Sequence, residues 1–582
     1  MFEITVNNRV IDAEEGETIL SALTRVGIRV PTLCHLPGMP PTGACRICIV
    51  EVEGAEGDGL VPSCSYPVAE GMRIHTNSQK VIRARRVLLE LLLSNHPDDC
   101  LYCPKSSDCR LRLLAEEYGV RERSASKRFR GKLRDLTSPA LIRDASKCIL
   151  CGKCVRICEE MQKISAIEFV GRAGRTAVAP AFHQSMNISS CVNCGQCTLV
   201  CPTGALVEHS ALERVTAAVG DPERVVVIQH SPAAVLAVAE EFGLKSGMDV
   251  PGLLNAALRQ IGFRKVFNSS FAADVAVMEQ AAELVERLRS GRQLPLIVGC
   301  SAASAQYMEE FYPELIPNLS TCRSPQGILA ALIKTQFAEE EGIVPGRIFC
   351  VAAGACTARK FEATRTELGR DNVPDIDAVL TSRELIRLFR LYGVDFNSLR
   401  PEPADQPFSM RSTAGRLFDI SGGVAEAILR TTHRLITGRE LKSMKIEAVR
   451  GLDGVKEMTI RIGEFEIGVV VAGGLGNARR VLDQIKSGVR RALPSRRNVM
   501  LLELRACPGG CIAGGGQPLE SSPERIKARM QALYSIDQND HLRAAHMNPE
   551  VGKLYERIGG GPFSPAARAL LHTAYGRRDV LI

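Results

Sequence analysis

The chain has 582 residues, a formal net charge of +8 and 21 cysteines, and its sequence contains no tryptophan. The length predicts about four domains. A small positive charge spread over this length does not indicate nucleic-acid binding, although it would help acidic proteins to dock. No apolar run reaches the roughly 18 residues of a membrane span, and the acidic N-terminal segment lacks the pattern of a signal peptide. We therefore expect a cytoplasmic protein, in which clustered cysteines indicate metal binding rather than disulfides.

Residues 1–78 read as short strands, FEITVNN, IVEVEG and MRIHTN, with cysteines between them. The four sulfurs belong to Cys34, Cys45, Cys48 and Cys64, three of which share one long loop. Four thiolates at this spacing suit a [2Fe–2S] cluster, and Gly43 would let the loop backbone pass close to the sulfides. A structural zinc site is the alternative, which the long first gap between cysteines disfavours.

Residues 79–120 are predicted to be helical around a loop that carries one histidine and three cysteines. His96, Cys100, Cys103 and Cys109 form an H-x3-C-x2-C-x5-C array, which could bind zinc or a [4Fe–4S] cluster. A single histidine is more often a core residue, but this spacing favours a ligand. A neutral imidazole in place of a thiolate would raise the potential of such a cluster. The basic stretch at 121–135 is interpreted as a solvated linker, with a docking surface for a partner subunit as the alternative.

Two cysteine runs carry the most specific signal in the chain. Residues 148–158 and 191–201 each read C-x2-C-x2-C-x3-C, and a proline follows the second run. In such a repeat the fourth cysteine of each run binds the cluster of the other run. One [4Fe–4S] cubane is therefore assigned to Cys148, Cys151, Cys154 and Cys201, and a second to Cys191, Cys194, Cys197 and Cys158.

Beyond about residue 211 the sequence changes to an α/β pattern. The predicted strands are RVVVIQH, LPLIVGC, RIFCVAA, EFEIGVVVA and VMLLELR, and the helices between them include AAVLAVAEEFG and ARRVLDQIKSG. Cysteines fall at or just after strand ends, namely Cys300, Cys356, Cys507 and Cys511. Because loops at the carboxyl ends of strands build sites in α/β folds, these thiolates predict a fifth cluster.

Other features of this region are interpreted as structural. Cys322 and Cys350 are left over and are predicted to be buried free thiols. The stretch GGLGNA at 473–478 lacks the full G-x-G-x-x-G of a nucleotide-binding loop, so we predict a tight strand-to-helix turn there. The chain thus offers no convincing nucleotide fingerprint of its own.

The order of these segments resembles the [FeFe]-hydrogenase, or iron-only hydrogenase, catalytic subunits that carry an extended N-terminal cluster relay. Segments similar to that family are FNSSFAADVAVMEQ, FYPELIPNLSTCRSPQ, CTARKFEA, GGLGNARRVLDQIKSG, ACPGGCIAGGGQP, HMNPEV and LLHTAYGRR. The resemblance implies a multidomain α/β and α+β protein with one [2Fe–2S] and four [4Fe–4S] clusters. Its domains would be a plant-type β-grasp ferredoxin domain at 1–78, a one-His/three-Cys domain at 79–120, a two-cubane ferredoxin domain at 138–210 and a hydrogenase-like α/β domain at 211–582.

In that family a cubane is bridged through a cysteine sulfur to a diiron unit that carries CO, cyanide and a dithiolamine. The resemblance assigns the cubane to Cys300, Cys356, Cys507 and the bridging Cys511, all of which are present. The family signature T-S-C-C-P-x-W reads IVGCSAA here. It places Gly299 at the proton-donating cysteine, Ser301 at the proline and Ala303 at the tryptophan. A thiol with a pKa near 8.5 can carry a proton, whereas glycine has no side chain to do so.

Other family positions on the diiron side also differ. The signature M-P-C-x-x-K reads GACTAR, which places Gly354 at the packing methionine and Arg359 at the lysine that bonds a cyanide. Arginine keeps the charge but is bulkier and planar. The signature E-x-M-A-C reads ELRAC, which places the cation of Arg505 where an apolar side chain would touch the diiron unit. The relay segment MEQAAE has Gln280 at its inner carboxylate position, while Glu283 and Glu362 remain.

All of these changes fall on the diiron side and none on the cubane ligands, which indicates selective loss of the hydrogen site. An arginine can fill the vacated space and pair with a carboxylate, so that no buried charge is left unpaired. The resemblance then implies an electron-relay subunit of a flavin-based electron-bifurcating transhydrogenase that couples ferredoxin with NADH and NADPH. Partner subunits would hold FMN or FAD and NAD(P), and neither nucleic acid nor membrane is expected as a partner. The alternatives are a genuine, NAD(P)-linked bifurcating [FeFe]-hydrogenase with a proton path through water or Ser301, and a redox or hydrogen sensor.

Overall fold

The computed structural model describes residues 2–53, 59–121, 134–244, 250–299, 301–487, 499–519 and 522–580. Cys300 and most of the linker predicted at 121–135 therefore lie outside the described residues. Within those ranges we find no helix whose length and apolar character would suffice to cross a membrane. The predicted combination of α+β and α/β parts is confirmed, whereas the domain boundaries remain predictions.

The N-terminal part is a mixed sheet with one helix packed on it. Its elements are β1 (Phe2–Val6), β2 (Arg9–Ala13), α1 (Ile19–Arg25), β3 (Ile49–Glu53), β4 (Gly59–Pro62) and β5 (Arg73–His75). The strand order is β2-β1-β5-β3-β4, with β1 parallel to β5 and antiparallel to β2. The strands predicted from the sequence are β1, β3 and β5. The unpredicted β2 and β4 form the two edges, where exposed side chains weaken the apolar signal.

Two helices follow this sheet, α2 (Gln79–Ser94) and α3 (Arg110–Glu117), as predicted. The buried guanidinium group of Arg85 in α2 donates to the carbonyl oxygens of Ile47 (3.2 Å) and Ile49 (2.7 Å). It also donates to the Tyr118 hydroxyl at 2.8 Å. A single arginine thus ties the helices to the cysteine-bearing loop of the N-terminal part.

The next part holds the two cysteine runs between short strands. Its elements are β6 (Arg134–Asp135), β7 (Leu141–Asp144), α4 (Lys153–Arg156), β8 (Glu168–Val170), β9 (Ala177–Ala179), α5 (Gln196–Val200) and β10 (Leu206–Glu208). The strands pair as β10-β7-β6 and β8-β9, all antiparallel. Each short helix, α4 and α5, begins inside a cysteine run, so both runs fold in the same way.

The C-terminal part contains two further sheets. Its strands are β11 (Val225–His230), β12 (Lys265–Asn268), β13 (Leu296–Val298), β14 (Ile348–Gly354), β15 (Gly369–Arg370), β16 (Val373–Pro374), β17 (Ala378–Thr381), β18 (Val455–Ile462), β19 (Phe465–Gly473) and β20 (Val499–Arg505). One sheet is wholly parallel, in the order β12-β11-β14-β17. The other runs β13-β20-β19-β18, with only β18 antiparallel, and β15 pairs with β16 in a separate small hairpin.

Helices surround these sheets. They are α6 (Leu212–Val219), α7 (Pro232–Glu241), α8 (Val250–Ile261), α9 (Ser270–Ser290), α10 (Ala302–Phe311), α11 (Pro325–Leu332), α12 (Ala338–Glu340), α13 (Ala358–Glu362), α14 (Ser382–Leu391), α15 (Thr413–Leu417), α16 (Gly423–Thr437), α17 (Leu475–Lys486), α18 (Pro523–Asn539), α19 (Pro549–Ile558) and α20 (Pro565–Leu571). The long helix α9 is almost entirely buried and packs on α11, α15 and α16. This core brings the carboxyl ends of β11, β13, β14 and β20 toward one cavity.

The strand predictions for this part are confirmed for β11, β13, β14, β19 and β20. The predicted turn at 473–478 is also confirmed, because β19 ends at Gly473 and α17 begins at Leu475. Gly474 joins them with φ of +90°, a conformation that favours glycine. The antiparallel β18 was not predicted, since its half-exposed sequence VKEMTIRI mixes charged and apolar residues.

Candidate iron–sulfur sites and the C-terminal cavity

The four N-terminal cysteines form two buried pairs. Cys34 lies beside Cys45, and Cys48 lies beside Cys64. In each pair a thiol–thiol hydrogen bond lowers the pKa of one sulfur, that of Cys34 in the first and that of Cys64 in the second. Two adjacent pairs of sulfurs match the donor set of a binuclear cluster.

The structure brings the cysteines of the one-His/three-Cys array together near the surface. Burial is the main cause that raises the pKa of Cys109, and the neighbouring Cys103 and Cys100 add to it. Cys109 is buried and Cys100 is exposed. His96 is buried just beyond the end of α2, ahead of this loop. Its role as a ligand stays a prediction.

Each predicted set of four cysteines from the two runs lines one cavity. Cys148, Cys151, Cys154 and Cys201 line the first, which encloses about 20 Å³ of free volume. Cys158, Cys191, Cys194 and Cys197 line the second, which also encloses about 20 Å³. In the described part of the chain, no three Cys, His, Asp or Glu side chains approach closely enough to share a single metal ion. The exchange of the fourth cysteine is thus present in the geometry, and ligation itself stays a prediction.

The N-terminal sites both adjoin the cavity of Cys148 and Cys151. Burial lowers the pKa of Lys153, and its ammonium group interacts with the thiols of both Cys151 and Cys34. On the other side, Cys103 Sγ packs against Gly204, close to the first cavity. Two branches of the predicted relay therefore meet at this site.

The second cavity adjoins the C-terminal cysteines through Gln196, which lies between Cys194 and Cys197. Its side-chain Nε2 donates to Cys507 Sγ at 3.2 Å and to the Ala513 carbonyl oxygen at 3.0 Å. A β-carbon at Gly515 would overlap the carbonyl oxygen of Cys194, so the glycine-rich loop permits this close approach. Sequence reasoning missed Gln196, although its position inside a cysteine run was an available signal.

Three of the predicted C-terminal ligands lie at strand ends, as expected. Cys356 follows β14, Cys507 follows β20, and Cys511 opens a short turn four residues later. Burial raises the pKa of all three thiols, that of Cys511 to about 12. The fourth, Cys300, follows β13 in the sequence and lies outside the described residues. Buried thiols with a side-chain amide donating to one sulfur fit the donor set of a cubane.

The residues predicted to form a degenerate diiron pocket come together around one cavity of about 60 Å³. Cys356 and Cys511 line the same cavity, and so does Cys322, one of the two leftover thiols. Both leftover cysteines are buried, as predicted, and Cys350 lies within β14. The predicted residues in the lining are Gln280, Gly299, Ser301, Gly354, Arg359 and Arg505.

Arg505 is only 3% exposed, and its guanidinium group is held on several sides. Its Nε donates to Glu503 Oε1 at 2.8 Å, and its Nη2 donates to the carbonyl oxygens of Phe418 (2.6 Å) and Ile420 (3.2 Å). Burial alone would lower the pKa of Arg505, but the Glu503 carboxylate and the nearby Cys511 sulfur raise it. The side chain is therefore a fixed cation in the cavity wall.

Arg359 adds a second cation to the wall. Its Nη1 donates to Glu362 Oε2 at 2.6 Å, and the amide of Gln326 donates to the same oxygen at 3.3 Å. Burial opposes the charge of Arg359, but Glu362 and the thiols of Cys356 and Cys511 favour it and raise its pKa. Glu362, which the sequence left as a remaining carboxylate, is thus committed to an ion pair.

Gly299 and Arg505 share one space. Gly299 has φ of +70°, and a β-carbon there would lie 3.0 Å from Glu503 Cγ and 3.5 Å from Arg505 Nε. A cysteine at this position would need a strained backbone and a small shift of the Glu503 side chain, whereas its contact with Arg505 would be an ordinary one. Positions 299 and 505 are therefore linked through Glu503, which contacts the first and pairs with the second.

The predicted relay segment is only partly connected by hydrogen bonds in the structure. Among the described residues, Gln280 Oε1 is buried without a hydrogen-bond partner. Further out, the Ser320 hydroxyl donates to Glu283 Oε2 at 2.7 Å, and Arg287 Nη2 donates to Glu283 Oε1 at 2.6 Å. The outer carboxylate is thus anchored, whereas the inner position carries a neutral amide.

Profiles of known families match successive parts of the chain. They are the 2Fe-2S iron-sulfur cluster binding domain at 1–79, the NADH-ubiquinone oxidoreductase-G iron-sulfur binding region at 85–124, a 4Fe-4S dicluster domain at 147–205, the C-terminal domain of the iron only hydrogenase large subunit at 224–515 and the iron hydrogenase small subunit at 523–578. The order of cluster domains followed by a hydrogenase domain is therefore confirmed.

Two relatives match this chain over nearly its whole length, and a solved structure matches its larger part. NADP-reducing hydrogenase subunit HndD of Solidesulfovibrio fructosivorans is 40% identical over 100% of both chains. Iron hydrogenase 1 of Clostridium pasteurianum is 34% identical over 99% of this chain and 100% of its own. The solved structure of a variant of apo [FeFe]-hydrogenase HydA1 from Chlamydomonas reinhardtii is 31% identical, with a TM-score of 0.57 over 64% of this chain and 100% of that one.

Proposed function

The chain belongs to the family of iron-only hydrogenase large subunits, and from that premise we propose that it is the iron–sulfur relay subunit of a flavin-based electron-bifurcating oxidoreductase. In this proposal its C-terminal domain keeps one cubane and lacks the diiron unit. The complex would couple ferredoxin with NADH and NADPH, with FMN or FAD and NAD(P) bound on partner subunits. The name of HndD, a subunit of an NADP-reducing hydrogenase, supports an assembly of this kind.

The observation that carries the proposal is the buried Arg505 side chain. It lies in the wall of the same cavity that the cysteines line. Because Arg505 is paired with Glu503, moving it out of the cavity would leave a buried charge unpaired. The residues on the cysteine side fit a cubane, whereas a glycine at 299 and cations at 359 and 505 do not fit a diiron unit. The two halves of the site have therefore diverged.

The chain's own residues would hold and insulate the clusters, which supply one-electron transfer when bound. The ligand sets are those predicted from the sequence, including Cys300. The second cavity of the cysteine-run part has apolar walls, among them Ile164, Ile167 and Met186, which would exclude water. Gln196 would orient the Cys507 sulfur toward the neighbouring site. These contacts support a continuous path from the N-terminal sites to the C-terminal cysteines.

A genuine hydrogenase is the second candidate, and one observation favours it. Ser320, Glu283 and Arg287 keep a connected polar chain toward the cavity. A proton path that uses this chain would still have to cross Gln280 and reach a site with no thiol at 299. Infrared spectroscopy separates the two candidates.

The test is an infrared spectrum of the anaerobically purified complex, with iron counted in the same sample. Cells must co-express the diiron maturation machinery, and an active iron-only hydrogenase made in the same cells is the positive control. We expect no CO or cyanide bands and about 18 iron atoms per chain, from one [2Fe–2S] and four [4Fe–4S] clusters. Bands from the bound diiron unit would overturn the proposal and favour the hydrogenase. A matched variant with Arg505→Met, Arg359→Lys and Gly299→Cys asks whether these residues exclude the unit.

A further inference from the structure

We propose that Arg359 and Arg505 turn the C-terminal cubane into an electron-storage site, whose reduction potential lies above that of the cubane beside it. That neighbour is the predicted cluster of Cys158, Cys191, Cys194 and Cys197. The inference rests on the proposed function, because it requires that no diiron unit occupies the cavity. It also gives the cavity a function, which the loss of hydrogen chemistry alone would not.

The cavity wall places positive charge next to the cluster-binding sulfurs. Arg359 and Arg505 line it together with Cys356 and Cys511, and the thiols of both cysteines interact electrostatically with Arg359. Reduction adds one negative charge to a cluster, so a nearby fixed cation stabilises the reduced form and raises the potential. Arg505 is buried and the side chain of Arg359 is only 13% exposed, which limits screening by water.

The partner carboxylates do not cancel this effect, because of where they lie. In the described lining of the cavity, both arginines are present, but Glu362 and Glu503 are not. The Glu503 carboxylate accepts hydrogen bonds from the backbone N–H groups of Gly422 (2.9 Å) and Ala425 (2.7 Å) at the start of α16, which partly neutralise its charge. Both arginines therefore line the cavity, whereas neither partner carboxylate does.

Two further charged side chains in the lining have to be weighed. Asp419 contributes a carboxyl group, whose Oδ2 accepts from the Ala233 N–H at 2.8 Å and whose pKa is raised by burial. Arg323 contributes a third guanidinium group, paired with Asp375 at 2.8 Å. The balance of side chains that face the cavity thus remains positive.

The neighbouring cavity has the opposite character. Apart from its cysteines, its lining is apolar except for the neutral amides of Gln162 and Gln196. An apolar, uncharged surrounding penalises the more negative form of a cluster and lowers its potential. One electron would therefore leave the cluster in this cavity and enter the C-terminal one, with no transfer of atoms or protons. Gln196, which donates to Cys507 Sγ at 3.2 Å, joins the two sites.

The test is a reductive titration of the complete holoprotein, followed by electron paramagnetic resonance. The C-terminal signal is the one that Cys507→Ala removes, and the neighbouring signal is the one that Cys197→Ala removes. We expect the C-terminal signal to appear first. If the neighbouring signal appears first, the inference is overturned.

Variants of the Arg359–Glu362 ion pair separate an electrostatic effect from damage to the fold, because the two substitutions should shift the midpoint potential in opposite directions. Arg359→Gln should lower the midpoint potential of the C-terminal signal, Glu362→Gln should raise it, and Arg359→Lys should keep it near the original value. Ser269→Ala is the control, because Ser269 lines the same cavity without charge or a capping bond. Equal midpoints in Arg359→Gln and Glu362→Gln would overturn the inference while leaving the proposed function intact. CO or cyanide bands in the unmodified protein would instead remove the proposed function itself.

Discussion

The two cavities of the cysteine runs and the C-terminal cavity all gather thiols for a predicted cluster, but from differently arranged parts of the chain. Each of the first two collects its thiols from two short segments within 148–201. The C-terminal cavity instead collects side chains from segments between Gln229 and Cys511. When a site is assembled from distant segments, one side can change while the other is kept. Under the proposed function, this difference explains how a cubane can be kept beside a cavity without a diiron unit.

The walls of the two kinds of cavity differ as strongly as their connectivity. Around Cys158 and Cys191 the wall is largely apolar, whereas around Cys356 and Cys511 it holds paired arginines. A buried ion pair contributes little net stability, but removing one partner leaves an unpaired charge and is costly. Replacing Arg505 alone would therefore leave the buried Glu503 carboxylate without its cation.

The largest expected effect is the loss of a whole cluster from the C-terminal site. Cys507→Ala should lower the iron content from about 18 to about 14 atoms per chain, because one of four cubane ligands is removed. Iron analysis and electron paramagnetic resonance of the anaerobically purified protein check this. Cys350→Ala is the matched control, since Cys350 is a buried thiol in β14 with no predicted ligand role. An unchanged iron count in Cys507→Ala would contradict the assignment of this site.

The next prediction concerns Glu310 in α10, which Gln306 connects to the cysteine-run part of the chain. Gln306 Nε2 donates to Glu310 Oε1 at 2.9 Å and to the Cys191 carbonyl oxygen at 3.0 Å. Burial raises the pKa of Glu310 from 4.5 to about 7, and its Oε2 is buried without a partner among the described residues. Between these values the folded protein binds more protons than the unfolded chain, so its stability falls as pH rises.

Glu310→Gln should therefore flatten the pH dependence of stability between pH 4.5 and 7. The shift corresponds to at most about 3 kcal/mol across that window. Thermal unfolding of the anaerobic protein at several pH values measures it. Glu309→Gln serves as the control, because Glu309 instead pairs with Arg365. If the two variants show the same pH profile, the raised pKa of Glu310 is wrong.

The sequence predicts the cysteine-run sites well because their ligands are local. Spacing alone assigned Cys158 and Cys201 to opposite sets, and the structure groups them that way. The contents of the C-terminal cavity followed only from family resemblance, since no spacing rule joins Gln280 to Arg505. The partners of Arg505 were beyond prediction, because the carbonyl oxygens of Phe418 and Ile420 reach it only through tertiary packing.

Three of the missed strands have a common physical cause. The edge strands β2 and β4 and the antiparallel β18 expose much of their surface, so their apolar signal is weak. The parallel strands β11 and β14 are buried on both faces and read as continuous apolar runs, which made them predictable. Burial alone is not sufficient, because β12 and β17 are buried parallel strands of only four residues each and were not predicted either.

A double-mutant cycle sharpens the claim that Gly299 and Arg505 are linked. Gly299→Cys alone should destabilise the protein by about 2 kcal/mol, from a positive φ and the contact with Glu503 Cγ. In an Arg505→Met background the cost should be smaller by about 1 kcal/mol, because the ion pair no longer fills the space. Thermal or denaturant unfolding gives the four values. Additive effects would mean that the two positions changed independently.

The smallest expected effect tests the bond that joins the two regions. Gln196→Leu removes the donor shared by Cys507 Sγ and the Ala513 carbonyl oxygen while keeping the side chain's approximate size. We expect a loss of about 1 kcal/mol in stability and a lower midpoint potential for the C-terminal cubane, because a hydrogen bond to a ligand sulfur stabilises the reduced form. Gln162→Leu is the matched control, since Gln162 lines the same cavity but bonds the Leu475 N–H instead. A potential that shifts equally in both variants would show that the cavity's polarity, and not the bond to Cys507, connects the two sites.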